Sequence, residues 1–153
     1  MNLDEHARHL GGLIGNLQSL EFLLRIALSK LPGARARGVP SGEDFYLSPV
    51  DSLLPENDLT SYDSLGDLIS KFNKEMDKQG KLKIDESLVA IRDALAHGRV
   101  SASVSDETLR LLKFDKPQDG RVRVVFNEAL SEEWFMRYKS RVRDALDIAT
   151  QMN

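Results

Sequence analysis

Few side chains in this sequence can carry a proton near neutral pH. There are three histidines, at positions 6, 9 and 97, and no cysteine, which rules out disulfides, thiolate zinc ligands and a cysteine nucleophile. His97 closes the run Ile91-Arg92-Asp93-Ala94-Leu95-Ala96-His97-Gly98-Arg99. An arginine five places before a histidine is a weak signal by itself. Chemically, though, the pair suits RNA cleavage without a metal, in which the substrate's own 2′-hydroxyl is the nucleophile. The protein must then move protons, which imidazole does, and stabilise a crowded phosphorane, which a permanently charged guanidinium does. His97 is therefore the candidate general acid or base and Arg92 the phosphate clamp, with Asp93 orienting one of them or holding the motif in place. Arg99, just after the glycine, is the candidate for a further substrate contact. The plainer alternative makes Arg92 and Asp93 solvated helix residues and His97 a complement to the helix dipole.

His6 and His9, three apart beside Asp4 and Glu5, have the spacing of a metal-binding pair. The plainer reading, two solvated histidines on a fraying first turn, is preferred, so neither a metal nor another cofactor is expected. Trp134 and Tyr138 are the aromatics that could stack on a base, but the apolar periodicity assigns Tyr138 to the core. Arg121, Arg123, Arg137, Arg141 and Arg143 read as a charged outer surface, from which some could help position RNA through its backbone.

The elements that must position these groups follow from hydrophobic spacing. Leu3, Leu10, Leu17, Leu24 and Leu31 recur every seven residues, with Leu13, Leu20 and Ala27 between them, and predict one long helix over 3–31. Gly11, Gly12 and Gly15 interrupt it, as imperfect early turns or as a flat patch for a second helix. Residues 32–59 hold four of the five prolines and form a long loop, which Phe45, Tyr46, Leu47, Leu53 and Leu54 could pin down. A second helix is predicted over 61–78 with Ser61 as N-cap, and a third over about 85–97 capped by Asp85 and stopped by Gly98. Residues 109–114 and 121–126 flank a turn-rich segment and predict a hairpin whose Val122, Val124 and Phe126 face inward. Ser131 opens a last helix to about 152, with Phe135, Tyr138, Val142, Ala145, Ala149 and Met152 inward. On a regular helix Arg92 and His97 point about 140° apart. A two-fold dimer would ease this, setting His97 of one chain beside Arg92 of the other.

The chain's 153 residues suit one domain with a real core, and 41% hydrophobic with 29% charged residues is ordinary for a globular protein. A net charge of -3 excludes coating of nucleic acid by bulk positive charge but not a local phosphate site. No run of about eighteen apolar residues and no basic leader followed by an apolar stretch is present, so a cytoplasmic, membrane-free protein is expected.

The segment Arg92-Asp93-Ala94-Leu95-Ala96-His97-Gly98 resembles the signature of the HEPN superfamily: arginine, a polar residue, three further residues and histidine. The long leading helix, a motif on a later helix and a closing helix are also similar to that family's plan. The resemblance implies a helical bundle that dimerises, bringing two motifs into one cleft. It also implies metal-independent ribonuclease activity in toxin–antitoxin, abortive-infection or other defence systems, although some members are silent binding modules. Members paired with a nucleotidyltransferase antitoxin often carry a tyrosine two places after the histidine. Here that position is Arg99, so modification of such a tyrosine is not expected. The combined expectation is all-α: a single HEPN-like four-helix bundle over 1–153, with a small β-hairpin before the last helix. Its expected role is a homodimeric endoribonuclease with RNA as substrate, Arg92, Asp93 and His97 as catalytic residues, and a possible protein antitoxin. The alternative is a catalytically silent module that binds a nucleotide, RNA or a protein.

Overall fold

The computed structural model describes residues 2–31, 47–103 and 106–151. Helix α1 spans Leu3–Ser29, α2 Leu65–Gln79, α3 Leu88–His97 and α4 Glu132–Thr150. Strands β1 (Arg99–Ser103), β2 (Asp106–Phe114) and β3 (Val124–Ala129) form an antiparallel sheet in the order β1-β2-β3. The expected all-α four-helix bundle is thus corrected to a mixed α/β fold. The helices lie close to their predicted places, but the hairpin is two strands of a three-stranded sheet. Its third strand, β1, starts directly after the motif helix. Arg99-Val100-Ser101-Ala102-Ser103 has only one large apolar residue, so hydrophobic alternation gave no sign of it. It is held by pairing with β2, Val100 opposite Leu111 and Ser101 opposite Arg110.

The chain divides into two compact units, and α1 and α4 each contribute to both. One comprises Met1–Gln18 and Asp85–Ala145 and contains the sheet and α3. Its core includes Leu88, Ile91, Ala94, Leu111, Phe135 and Val142. The other comprises Ser19–Ile84 and Leu146–Asn153. There Leu65, Leu68, Ile69, Phe72 and Met76 line the buried side of α2. The N-cap of α2 is Ser64, not Ser61. Ser64 and Asp67 form a reciprocal capping box, while Ser61 accepts a hydrogen bond from Arg25. Asn73, fully within this unit, holds both backbone groups of Ile84 at 2.8 Å. Gly80 ends α2 in the left-handed conformation. Of the long loop, 32–46 lies outside the described residues, including Phe45 and Tyr46; Leu47 and Leu53 are exposed and do not pin the chain. Met152 also lies outside them.

In the sheet-bearing unit, α3 begins at Leu88, later than expected. Asp85 does not cap it. Its carboxylate instead accepts from the Ser87 amide and hydroxyl and from Arg141 of α4, whose Nη2 lies 2.6 Å away. These bonds, the Ser87 side chain foremost, hold the Asp85 carboxyl down to about 2 against the opposing effect of partial burial. The hairpin also differs from expectation. Val122 and Val124 are about half exposed because the paired part of β3 starts only at Val124, opposite Phe114.

Gly98 fixes the turn from α3 into β1. A Cβ there would stand 2.3 Å from the Ala94 carbonyl oxygen and 2.9 Å from both the Leu112 carbonyl oxygen and Leu111 Cδ1. Two of those neighbours are backbone and cannot swing aside. At Gly11 and Gly15 of α1, by contrast, a Cβ meets nothing within 4 Å. We expect Gly98→Ala to lower stability by about 1–3 kcal/mol. Gly11→Ala and Gly15→Ala should each raise it by up to about 1 kcal/mol through helix propensity. Urea unfolding of the three variants checks both signs. Asp85 gives a pH-dependent expectation: its carboxyl titrates lower in the folded chain than in the unfolded one, near 3.9. Its stabilisation is complete above about pH 4 and is lost as pH falls towards 2. The stability difference between wild type and Asp85→Asn should therefore narrow over that interval, as urea titrations at stepped pH would show.

Candidate functional site

The motif helix α3 is regular up to His97, and the Gly98 amide still bonds the Ala94 carbonyl at 2.7 Å. Leu88, Ile91 and Ala94 form its buried stripe. Regular helical spacing places Arg92 on one flank of that stripe and Asp93 with His97 on the other. Within one chain the motif therefore splits: Asp93 and His97 lie about 40° apart around the axis, while Arg92 is about 140° from His97.

The Asp93 carboxylate is the meeting point. One oxygen lies 3.7 Å from His97 Nε2, and the other is bonded by Lys113 Nζ from β2. Lys113 is mostly buried, whereas two thirds of the His97 side chain is exposed. Leu111 and Lys113, two apart on β2, face α3: Leu111 packs against Gly98, and Lys113 reaches Asp93. The structure thus gathers Asp93, His97 and Lys113, with an exposed imidazole, a carboxylate behind it and an ammonium securing the carboxylate. Arg99, the other candidate, starts β1 and lies over the Phe114 ring, 5.7 Å from its centroid. Lys113 and Phe114 were not singled out in the sequence. The signal was the alternation Leu109-x-Leu111-x-Lys113, which puts a lysine on the face otherwise occupied by leucines.

Trp134 and Tyr138 are buried and unavailable to a base. The Glu128 carboxylate accepts hydrogen bonds from Trp134 Nε1, from Arg137 at 3.0 Å and from the Tyr138 hydroxyl at 3.3 Å. Arg137 and Arg141 flank the Tyr138 ring at 5.1 and 4.9 Å. Burial and then Glu128 push the phenol above its usual range. Arg137 and Arg141 are therefore structural partners as well as surface charges.

A cleft of about 540 Å³ in the same unit is lined by Glu5, Arg8, His9, Ser131, Glu132 and Glu133, with no residue of the Arg92–His97 motif. Its three carboxylates against one arginine do not suit a phosphate. His6 overturns the expectation of a solvated pair. It is buried edge-on against Phe135, 5.6 Å between ring centres, and Nδ1 has no hydrogen-bond partner. The heptad spacing of Leu13, Leu20 and Ala27 extends back to position 6 and was the overlooked signal. His9 packs on the same ring and lies 3.4 Å from Lys139 Nζ. No group of three metal-ligating side chains occurs among the described residues.

Burial, and secondarily His9, hold the His6 imidazole below its ordinary value. The unfolded chain, titrating near 6.5, then binds more protons than the folded one in mildly acidic solution. The stabilisation is complete above about pH 6.5 and declines as pH falls below it. His6→Leu should flatten that decline, measured as thermal midpoints between pH 7.5 and 5; an unchanged slope would place the acid sensitivity elsewhere.

No helix among the described residues is long and apolar enough to cross a membrane. No family model, curated protein or solved structure matches the chain.

Proposed function

We infer that the chain is a metal-independent endoribonuclease of the HEPN type, active as a homodimer. The observation that carries this reading is the placement of His97. It stands exposed on the last turn of α3, with the Asp93 carboxylate 3.7 Å from Nε2 and Gly98 locking the turn that follows. A histidine meant to shuttle protons must reach solvent and substrate, which the exposure of His97 supports, and the Asp93 carboxylate beside it is placed to steady the ring when substrate binds. Arg92, on the other flank of the helix, serves as clamp to the site of a second copy.

In the cleavage step one His97 takes the proton of the 2′-hydroxyl. The freed oxygen attacks the adjacent phosphorus, and the bond to the 5′-oxygen breaks. The 5′-oxygen receives a proton from the second His97 of the dimer, giving a 2′,3′-cyclic phosphate and a 5′-hydroxyl. Arg92 neutralises the non-bridging oxygens as charge builds on them. Asp93 and Lys113 are positioning residues: the ammonium ties the carboxylate to the sheet, and the carboxylate steadies the imidazole. An RNA-cleaving role of this kind fits a cytoplasmic defence effector or toxin, held in check by a protein antitoxin.

The test is cleavage of several RNAs, transfer RNA included, by purified protein in EDTA, with dimer mass measured by light scattering. Wild type should cleave, while His97→Ala and Arg92→Ala should each lose at least about a hundredfold of the rate, the usual scale of one proton-transfer group and of one transition-state charge stabiliser, and keep the dimer mass. Absence of cleavage by wild type would favour the silent binding module. The Lys113–Asp93 ion pair would then be a structural clip between α3 and β2.

A further inference from the structure

The two faces of the sheet differ in what they meet. Helix α3 meets it through Leu111 and Lys113, and α4 through Glu128, which lies opposite Leu111 in the register. Strand alternation therefore assigns Leu111, Lys113 and Glu128 to the face that carries the helices. The intervening residues project from the other face. On β1 and β2 the register sets Arg99 opposite Leu112 and Ser101 opposite Arg110. On the β3 side it sets Asn127 opposite Leu112 and Val124 opposite Phe114. Arg99, Ser101, Val124 and Asn127 are exposed, and Arg110, Leu112 and Phe114 are half-buried by their sheet neighbours.

Two linked pairs organise this outer face. The Arg99 guanidinium lies over the Phe114 ring. Arg110 Nε donates to Asn127 Oδ1 at 2.9 Å, a bond that uses one of the guanidinium's five donors. The outer-facing positions named here include two arginines, in a chain whose net charge is -3. The hairpin beyond β2 adds Lys116, Arg121 and Arg123 against Asp115 and Asp119.

We propose that this outer face is a platform for single-stranded RNA, with a base stacked on the Arg99–Phe114 pair and backbone phosphate held by Arg99 and Arg110. The proposal rests on the ribonuclease reading and adds how its substrate is held. A local excess of arginine on an acidic chain matches a polyanion. An aromatic ring, a guanidinium plane and an amide on an open sheet match splayed bases, which stack and offer their edges, rather than a duplex whose bases are closed off. The platform starts at Arg99, two residues after His97, on the sheet face opposite the one that carries α3. Lys113 and Phe114 are consecutive on β2, one turned to the Asp93 carboxylate and the other to Arg99. A single strand thus carries both the support of the proposed catalytic histidine and the stacking platform.

The experiment is fluorescence anisotropy in EDTA with a fluorescein-labelled 15-nucleotide oligouridylate and with the same strand in duplex form. All proteins carry His97→Ala so that the probe stays intact. Phe114→Leu keeps the apolar bulk and removes the ring; Arg99→Gln/Arg110→Gln removes the charges; thermal midpoints confirm that each variant folds. The parent should prefer the single strand, and Phe114→Leu should weaken binding by about tenfold, within the range for one lost base stack. The double arginine variant should also lower the salt slope of log affinity by about 1.4, or 0.7 per lost phosphate contact. Parent-like binding by both sheet variants, or equal affinity for duplex, overturns the proposal. Its fate is separable from that of the ribonuclease reading. If RNA is bound through the sheet but wild type cleaves nothing, the platform stands and the enzyme reading falls. If wild type cleaves while the sheet variants bind like the parent, the platform falls alone.

Discussion

The close approach of backbone to backbone at Gly98 governs the geometry around the motif. There the last turn of α3, the start of β1 and the middle of β2 meet with no room for a single added carbon. The consequence is a tightly packed joint between helix and sheet. His97, one residue earlier, is exposed as a side chain but anchored as backbone, and Arg99, one residue later, enters a paired strand at once. Helix and sheet are therefore linked through one glycine, and the residues on either side of it have fixed relative directions.

That linkage explains how charge is arranged here. Asp93 on α3 sits between an exposed histidine of its own helix and a lysine from β2. Lys113 is mostly buried, a position a lysine tolerates only with a counter-charge, and Asp93 supplies it. Surface ion pairs usually contribute little. This one is partly enclosed and joins two elements, so its main effect is to tie α3 to β2. Arg92 cannot join them within one chain, because helical geometry turns it to the other flank. If the motif acts as a unit, symmetry must complete it.

Other polar groups inside the same unit serve the scaffold. Glu128 collects Trp134, Arg137 and Tyr138, and Asp85 fastens Arg141 at the entrance to α3. These contacts use up most of the cationic face of α4 that a sequence reading leaves open for RNA. The arginines on the outer sheet face are differently placed. Among the described residues, Arg99 lies over a ring and Arg110 donates to an amide, neither of which neutralises a positive charge.

The sequence by itself determined the helices and the motif. Seven-residue and 3.6-residue apolar periods are local properties, and they placed α1, α2, α3 and α4 within a few residues, along with Asp93 one turn before His97. It also showed two of the strands, because the runs over 109–114 and 121–126 flank a turn-rich segment and the second is rich in valine and phenylalanine. The tertiary structure alone decided the class of the fold. Strand β1 owes its form to pairing with β2, and hydrogen bonding to a distant strand leaves little trace in a sequence such as Arg-Val-Ser-Ala-Ser. It alone decided the burial of His6, which depends on Phe135 from the other end of the chain. The partnership of Lys113 with Asp93 was decided in the same way. Lysine and aspartate are twenty residues apart, and only the packing of a helix on a sheet face brings them together.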